Sequence, residues 1–233
     1  MQSNKDCIES VNKMKLTEVK EIVDKATQNN VPAFFKNLIP ITPGWDQFLN
    51  HFDYQINKGP AMKAMNSSPE YIILNGVLQK HKFYYQVRDV INEPNKAKNF
   101  FPEVMQLKNL FDIVYQENAW GGTSFINLNS NEPNVPSHSD DWVNVHWQCQ
   151  GSTIWETRLN KDDETPSCVY NMEPGDVIVI PAGVQHAVNH IKPRAGIVLS
   201  YQFKDSPNRP RSANEKGNHS KRPFVMPENY FWE

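Results

Sequence analysis

Gly175-Asp-Val-Ile-Val-Ile-Pro181-Ala-Gly183-Val-Gln-His186 is the stretch on which the reading of the fold turns. Glu173-Pro174-Gly175-Asp176 at its start is turn chemistry, Val177 to Ile180 is an apolar β-rich run of the buried-strand kind, and Pro181-Ala182-Gly183 is a second turn. The second turn delivers His186 to the start of the next strand. A hairpin built this way holds an imidazole rigidly at the mouth of a barrel, as a metal ligand must be held. A lone histidine on such a strand is more often structural, so the reading needs partners elsewhere in the chain.

Those partners lie some fifty residues upstream, in Pro136-Ser137-His138-Ser139-Asp140-Asp141. In extended chain, positions 138 and 140 project to the same side, so one imidazole and one carboxylate can share a metal face. With His186 they make two histidines and one carboxylate. That donor set leaves coordination positions open and is the pattern of non-haem Fe(II) oxygenases. His-x-Asp alone is common by chance; the hairpin one small sheet later gives it weight. The order Gly, five residues, Pro, one, Gly, two, His also resembles the second motif of the cupin superfamily.

The segment His138-x-Asp140-Asp141-x-x-Asn144-x-x-x-Gln148-x-x-Gly151 resembles the metal strands of the JmjC-type 2-oxoglutarate oxygenases. Its spacing is most similar to the branch of asparaginyl hydroxylases that act on hypoxia-inducible factor. The likeness covers residues 121 to 203, is slight before them and absent after. Val31-Pro-Ala-Phe-Phe-Lys and Thr42-Pro-Gly-Trp45 also look like the family's opening segment. The resemblance implies a double-stranded β-helix (a cupin or jelly-roll barrel), Fe(II) and 2-oxoglutarate as cofactors, and His138, Asp140 and His186 as iron ligands. It implies a co-substrate contact for Asn144. The intact Asp140 speaks against the halogenating variants, which give up that carboxylate.

Two departures matter. The family's lysine for the distal carboxylate of 2-oxoglutarate is replaced by Thr153, and Val135 stands where a threonine is usual. Arg194, eight residues after His186 at the head of Gly196-Ile-Val-Leu-Ser-Tyr-Gln, stands where many other 2-oxoglutarate oxygenases place a carboxylate-binding arginine. A guanidinium fork suits a carboxylate well, although an arginine after Lys192-Pro193 is as often a solvated turn residue. Arg158 is the second candidate, with Glu156 as a ready charge partner.

Period two sends Asn144, His146 and Gln148 inward and Val143, Val145 and Trp147 away. His146 then reads as pocket wall, Asp141 as facing solvent or supporting the ligands from behind, and His190, in Asn189-His190-Ile-Lys-Pro193, as a surface turn residue. Trp147 and Trp155 read as core. Tyr84 and Tyr85 fit either the barrel entrance or an edge strand.

The chain as a whole reads as one domain, 1–233: a helical and irregular part over 1–120, the metal-binding barrel over 121–203, and a tail over 204–233. Val11, Met14, Val19, Ile22, Val23 and Ala26 recur at helical spacing, with Thr17 as a start signal. Thr42-Pro43 reads as a cap and first turn for a short helix, and residues 103–118 as the strongest helix. These helices are expected on one outer face of the barrel. The tail's aromatic end, Tyr230-Phe231-Trp232, could dock back or pair with a second copy, giving a homodimer.

Charge is near balance, 24 Lys+Arg against 26 Asp+Glu, which argues against nucleic acid or an anionic membrane as partner. No stretch nears the roughly 18 apolar residues of a membrane span. Cys7, Cys149 and Cys168 fit neither a disulfide framework nor a cysteine zinc site, so reduced thiols and a cytoplasmic location are expected. The substrate, a small molecule or a peptide, is not written in the residues. Two rival readings stay open: a metal-dependent cupin without 2-oxoglutarate (an isomerase or another dioxygenase), and a non-catalytic binding module.

Overall fold

The structure is a computed structural model describing residues 8–11, 14–57, 84–88, 100–117, 119, 121–127, 135–160, 163, 165–190 and 193–202. Cys7, the stretch before Tyr84 and the tail with Tyr230, Phe231 and Trp232 lie outside the described residues.

Eight strands make the barrel: β4 (Gly121–Asn127), β5 (Val135–His138), β6 (Val143–Gln150), β7 (Thr153–Arg158), β8 (Cys168–Met172), β9 (Val177–Ile180), β10 (Gln185–His190) and β11 (Arg194–Tyr201). The large sheet contains the order β9-β6-β11-β4, and the small sheet is β5-β10-β7-β8. Apart from the β7–β8 hairpin, the chain crosses between sheets at every step. That is the double-stranded β-helix. All pairings in these eight strands are antiparallel.

The first 120 residues do more than supply helices. β1 (Ile8–Val11), β2 (Ala33–Lys36) and β3 (Tyr84–Arg88) extend the large sheet, with β1 and β2 beside β9 and β3 beside β4. The run Val31–Lys36, read as an opening segment, is therefore largely strand. Burial on both faces explains why local reading missed it: Ala33, Phe34 and Phe35 are all buried, so no period shows. Tyr84 and Tyr85 fall in β3, and their side chains lie outside the described residues.

Helices α1 (Leu16–Gln28), α2 (Trp45–Asn57) and α3 (Val104–Tyr115) follow the expected segments with shifted ends. Thr17 lies inside α1, whose start is closed by Glu18 reaching back to the Lys15 N–H at 2.7 Å. Thr42-Pro43 does not cap α2. The Gly44 carbonyl takes the first helical bonds, and Gln47 Oε1 accepts the Gly44 N–H at 2.7 Å.

Val19, Val23, Phe48, Leu107, Phe111 and Val114 pack on the outer face of the large sheet, against Val143, Val145, Trp147, Ile197, Leu199 and Tyr201. Covered by helices outside and enclosed by the barrel inside, β11 is buried at every position. β7 alternates buried and partly exposed residues, because among the described residues no helix covers its outer face. A second core, including Phe34, Trp155, Tyr170, Met172, Ile178 and Val188, fills the space between the sheets. Cys149 is a buried free thiol.

Candidate metal centre

β5 and β10 pair so that His138 and His186 are direct cross-strand partners, and their rings lie 4.3 Å apart. Gly183, with φ of +82°, makes the turn that allows this, and its N–H donates to the Asp140 carbonyl at 2.8 Å. One hydrogen bond thus ties the His-x-Asp segment to the hairpin carrying the other histidine. Asp140 Oδ2 comes to 3.8 Å from His138 Nε2 and 3.7 Å from His186 Nε2. One donor atom from each of the three residues lies within 4.8 Å of the others, and among the described residues this is the one such cluster.

The donor set suits a divalent transition metal. His186 is 1% exposed, and its Nδ1 is 3.0 Å from the Val184 carbonyl. That partner accepts a hydrogen bond, so the proton sits on Nδ1 and the Nε2 lone pair turns toward Asp140 and His138. Burial lowers the pKa of His186, with the Val184 carbonyl and Asp140 pulling the other way, and favours the neutral, ligating imidazole. The His138 side chain is 40% exposed, which puts the open mouth of the site on its side.

The polar alternation of β6 faces inward, as the period implies: Val143, Val145 and Trp147 join the outer core, while Asn144 and His146 face the site. His146 packs on Trp155 at 4.3 Å between ring centroids, and Trp155 stacks on His186 at 5.8 Å. Trp155 is therefore a wall of the site as well as core. The His146 Nε2 is sealed from solvent with no hydrogen-bond partner among the described residues. Burial, followed by the charges of His186, Arg194 and His138, pushes its pKa well down. Asp141 is exposed, as expected, and His190 ends β10 instead of lying in a turn.

The co-substrate candidates separate clearly. Ala195, Ile197, Leu199 and Tyr201 belong to the outer core and Ser200 bonds Asn144 inside, so the pleat points Arg194 inward. Arg194 is 6% exposed and its charge is felt by His146, so it is no solvated turn residue. Arg158 points out of the barrel, donating to Glu156 Oε2 at 2.8 Å and the Asp163 carbonyl at 3.1 Å. Thr153 faces inward, but its hydroxyl donates to Gln148 Oε1 at 3.0 Å and accepts from Trp155 Nε1 at 3.2 Å. Asn144 donates its amide to Asp140 Oδ2 at 2.5 Å and accepts from Ser200 Oγ at 2.8 Å. Ser200 went unnoticed in the sequence. No motif marks it; its one signal is positional, the face of β11 that it shares with Arg194.

No family profile and no curated protein matches this chain. Solved structures do. YcfD of Escherichia coli superposes with a TM-score of 0.50 at 14% identity, over 91% of this chain and 62% of its own. The likeness is one of fold. The same ribosomal oxygenase in complex with cobalt and 2-oxoglutarate gives 0.46 at 15%, over 87% of this chain and 58% of that one. A cupin-superfamily protein of Desulfitobacterium hafniense gives 0.30 at 14%, over 36% and 67%. This chain thus spans less than two thirds of the YcfD chains it matches, and the double-stranded β-helix barrel expected from the motifs is its fold.

Proposed function

We propose that the chain is an Fe(II)- and 2-oxoglutarate-dependent oxygenase that hydroxylates a small molecule or peptide. One observation carries the reading: His138, Asp140 and His186, from two segments some fifty residues apart, converge at the open end of the barrel. The reaction is 2-oxoglutarate + O₂ + R–H → succinate + CO₂ + R–OH. Bound to these three residues, Fe(II) supplies the oxidative chemistry that no side chain here can perform.

The chain's own residues bind, orient and exclude water. Arg194, buried and inward, offers a two-pronged donor for the distal carboxylate of the 2-oxo acid. It takes the place of the missing lysine; Thr153 is already committed to Gln148. His146 and Trp155 wall the site with neutral rings and keep it dry beside His186. Asn144 presents an amide with a second N–H beyond the one given to Asp140.

The proposal includes one domain over 1–233, a homodimer, and neither nucleic acid nor membrane as partner. Among the described residues no helix is long and apolar enough to cross a membrane. Cytoplasmic residence rests on the sequence alone.

The test is anaerobic titration of the Fe(II)-loaded protein with 2-oxoglutarate, following the weak charge-transfer band at about 500 nm expected of a two-His-one-carboxylate chelate. A saturable band, lost in His138→Ala, supports the proposal. Fe(II) binding without a band returns the protein to the cupin enzymes that use no 2-oxo acid. No 2-oxoglutarate-stimulated O₂ uptake despite a band would favour the non-catalytic module.

A further inference from the structure

The two histidines of the site owe their placement to strand pairing. Asp140 does not: it follows β5 in irregular chain, and only its carbonyl is tied, through Gly183. Its carboxylate needs another constraint. The Asn144 amide donates at 2.5 Å to Asp140 Oδ2, the same oxygen that faces both imidazole Nε2 atoms. Asn144 is 4% exposed and sits on β6. Its own carbonyl accepts the hydroxyl of Ser200 at 2.8 Å, and Ser200 is its cross-strand partner on β11, 8% exposed.

The chain of donors has one consistent direction. An ionised Asp140 has only acceptors, so the amide must turn its NH₂ toward it. The opposite flip would set carbonyl oxygen against carboxylate oxygen with no proton between them. Ser200 then meets the amide carbonyl and must donate. The relay runs from Ser200 through Asn144 to Asp140, and all of it precedes any co-substrate.

We infer that Asn144 and Ser200 are positioning residues for the metal: together they fix the rotamer of Asp140 and aim Oδ2 at the space between the two imidazoles. The inference rests on the metal-centre reading, and it assigns Asn144 a role beyond the co-substrate contact that the family resemblance implies. A partner behind a ligating carboxylate is worth roughly 10- to 100-fold in metal affinity where such pairs have been broken.

The experiment is titration of the metal-free full chain with Mn(II), without 2-oxoglutarate, counting free ion by its paramagnetic resonance signal. Asn144→Leu keeps the shape of the side chain and removes both hydrogen bonds. It should weaken Mn(II) binding by about tenfold or more. Ser200→Ala, a gentler change that covers poor folding of the first variant, should weaken it about fivefold, the worth of one neutral hydrogen bond. The metal-free variants should still unfold in one cooperative transition, with thermal midpoints lowered only by the lost bonds, which separates positioning from a loss of fold. Unchanged Mn(II) affinity in both variants overturns the inference and leaves Asn144 with the co-substrate contact alone. A wild-type chain that binds no Mn(II) instead overturns the metal-centre reading beneath it.

Discussion

Arg194 and Arg158 carry the same charge, yet the pleat sends them to opposite sides of the barrel wall. Arg158 shares its face of β7 with Ile154 and Glu156, while Thr153, Trp155 and Thr157 point in and are buried. Arg194 shares its face of β11 with Ser200. Charge count alone leaves the two equal; the inward aromatic of β7 and the apolar odd positions of β11 separate them. Arg194→Ala should raise the 2-oxoglutarate concentration that half-saturates the charge-transfer band by roughly tenfold or more, the worth of a charge-assisted bond. Arg158→Ala should leave it unchanged. Equal effects from both would remove Arg194 as the anchor. His138, Asp140 and His186 were legible because each stands in a short motif whose spacing has a mechanical reason. Ser200 was not, because a serine in an apolar strand carries no motif.

At the scale of elements, the hairpin that begins at Gly175 shows how local chemistry and tertiary fit combine. Gly175 has φ of +97°, and a Cβ there would lie 2.6 Å from Asn37 Oδ1 and 3.4 Å from the Pro40 Cα. Gly183 has φ of +82°, but a Cβ there would meet nothing within 4 Å. Both positions favour glycine; only the first is also crowded. Gly183→Ala should therefore cost about 1 kcal/mol, the backbone penalty alone. Gly175→Ala should cost more, about 2–3 kcal/mol, as strain and displacement of Asn37 add to it. Denaturant midpoints of the two variants check the ranking, and a milder effect at Gly175 would contradict it. The turn residues made this hairpin visible in sequence, whereas β2 stayed hidden because Ala33, Phe34 and Phe35 are buried on both faces. Helix starts were misplaced for a related reason: at α1 and α2 the closing group is a side chain reaching back from inside, Glu18 and Gln47, not a residue ahead of the helix.

Across the whole molecule, His51 joins the helix layer to the large sheet. It stands on α2 between Phe100 and Phe101, with ring centroids at 5.0 and 5.1 Å, and its Nδ1 is 3.4 Å from Ser124 Oγ of β4. Burial pushes its pKa from 6.5 down to about 4. The folded chain therefore resists a proton that the unfolded chain accepts, so stability is complete above pH 6.5 and falls as pH drops toward 4. The full difference is about 3 kcal/mol. His51→Leu should lose less stability than the wild type between pH 7 and pH 4.5, read from denaturant midpoints at each pH. Parallel losses in the two proteins would show that His51 does not couple the layers to pH.

The residues by themselves determined the local pieces: the glycine-bounded hairpin, the His-x-Asp pair and three helical stretches. Turn chemistry and side-chain period act over a few neighbouring positions and are written in them. Period two already gave the inward face of β6; only the tertiary structure decided what covers the other face. Its alternation of apolar and polar residues would suit a strand with one wet face, and the helices covering Val143, Val145 and Trp147 turn that polar face into the lining of the site. Only closure of the barrel joined Asp140, Asn144 and Ser200, the last two 56 residues apart in sequence and directly opposite across two strands. Register between strands that are not consecutive is set by how two sheets pack and close, a balance over the whole core that no short stretch of sequence contains.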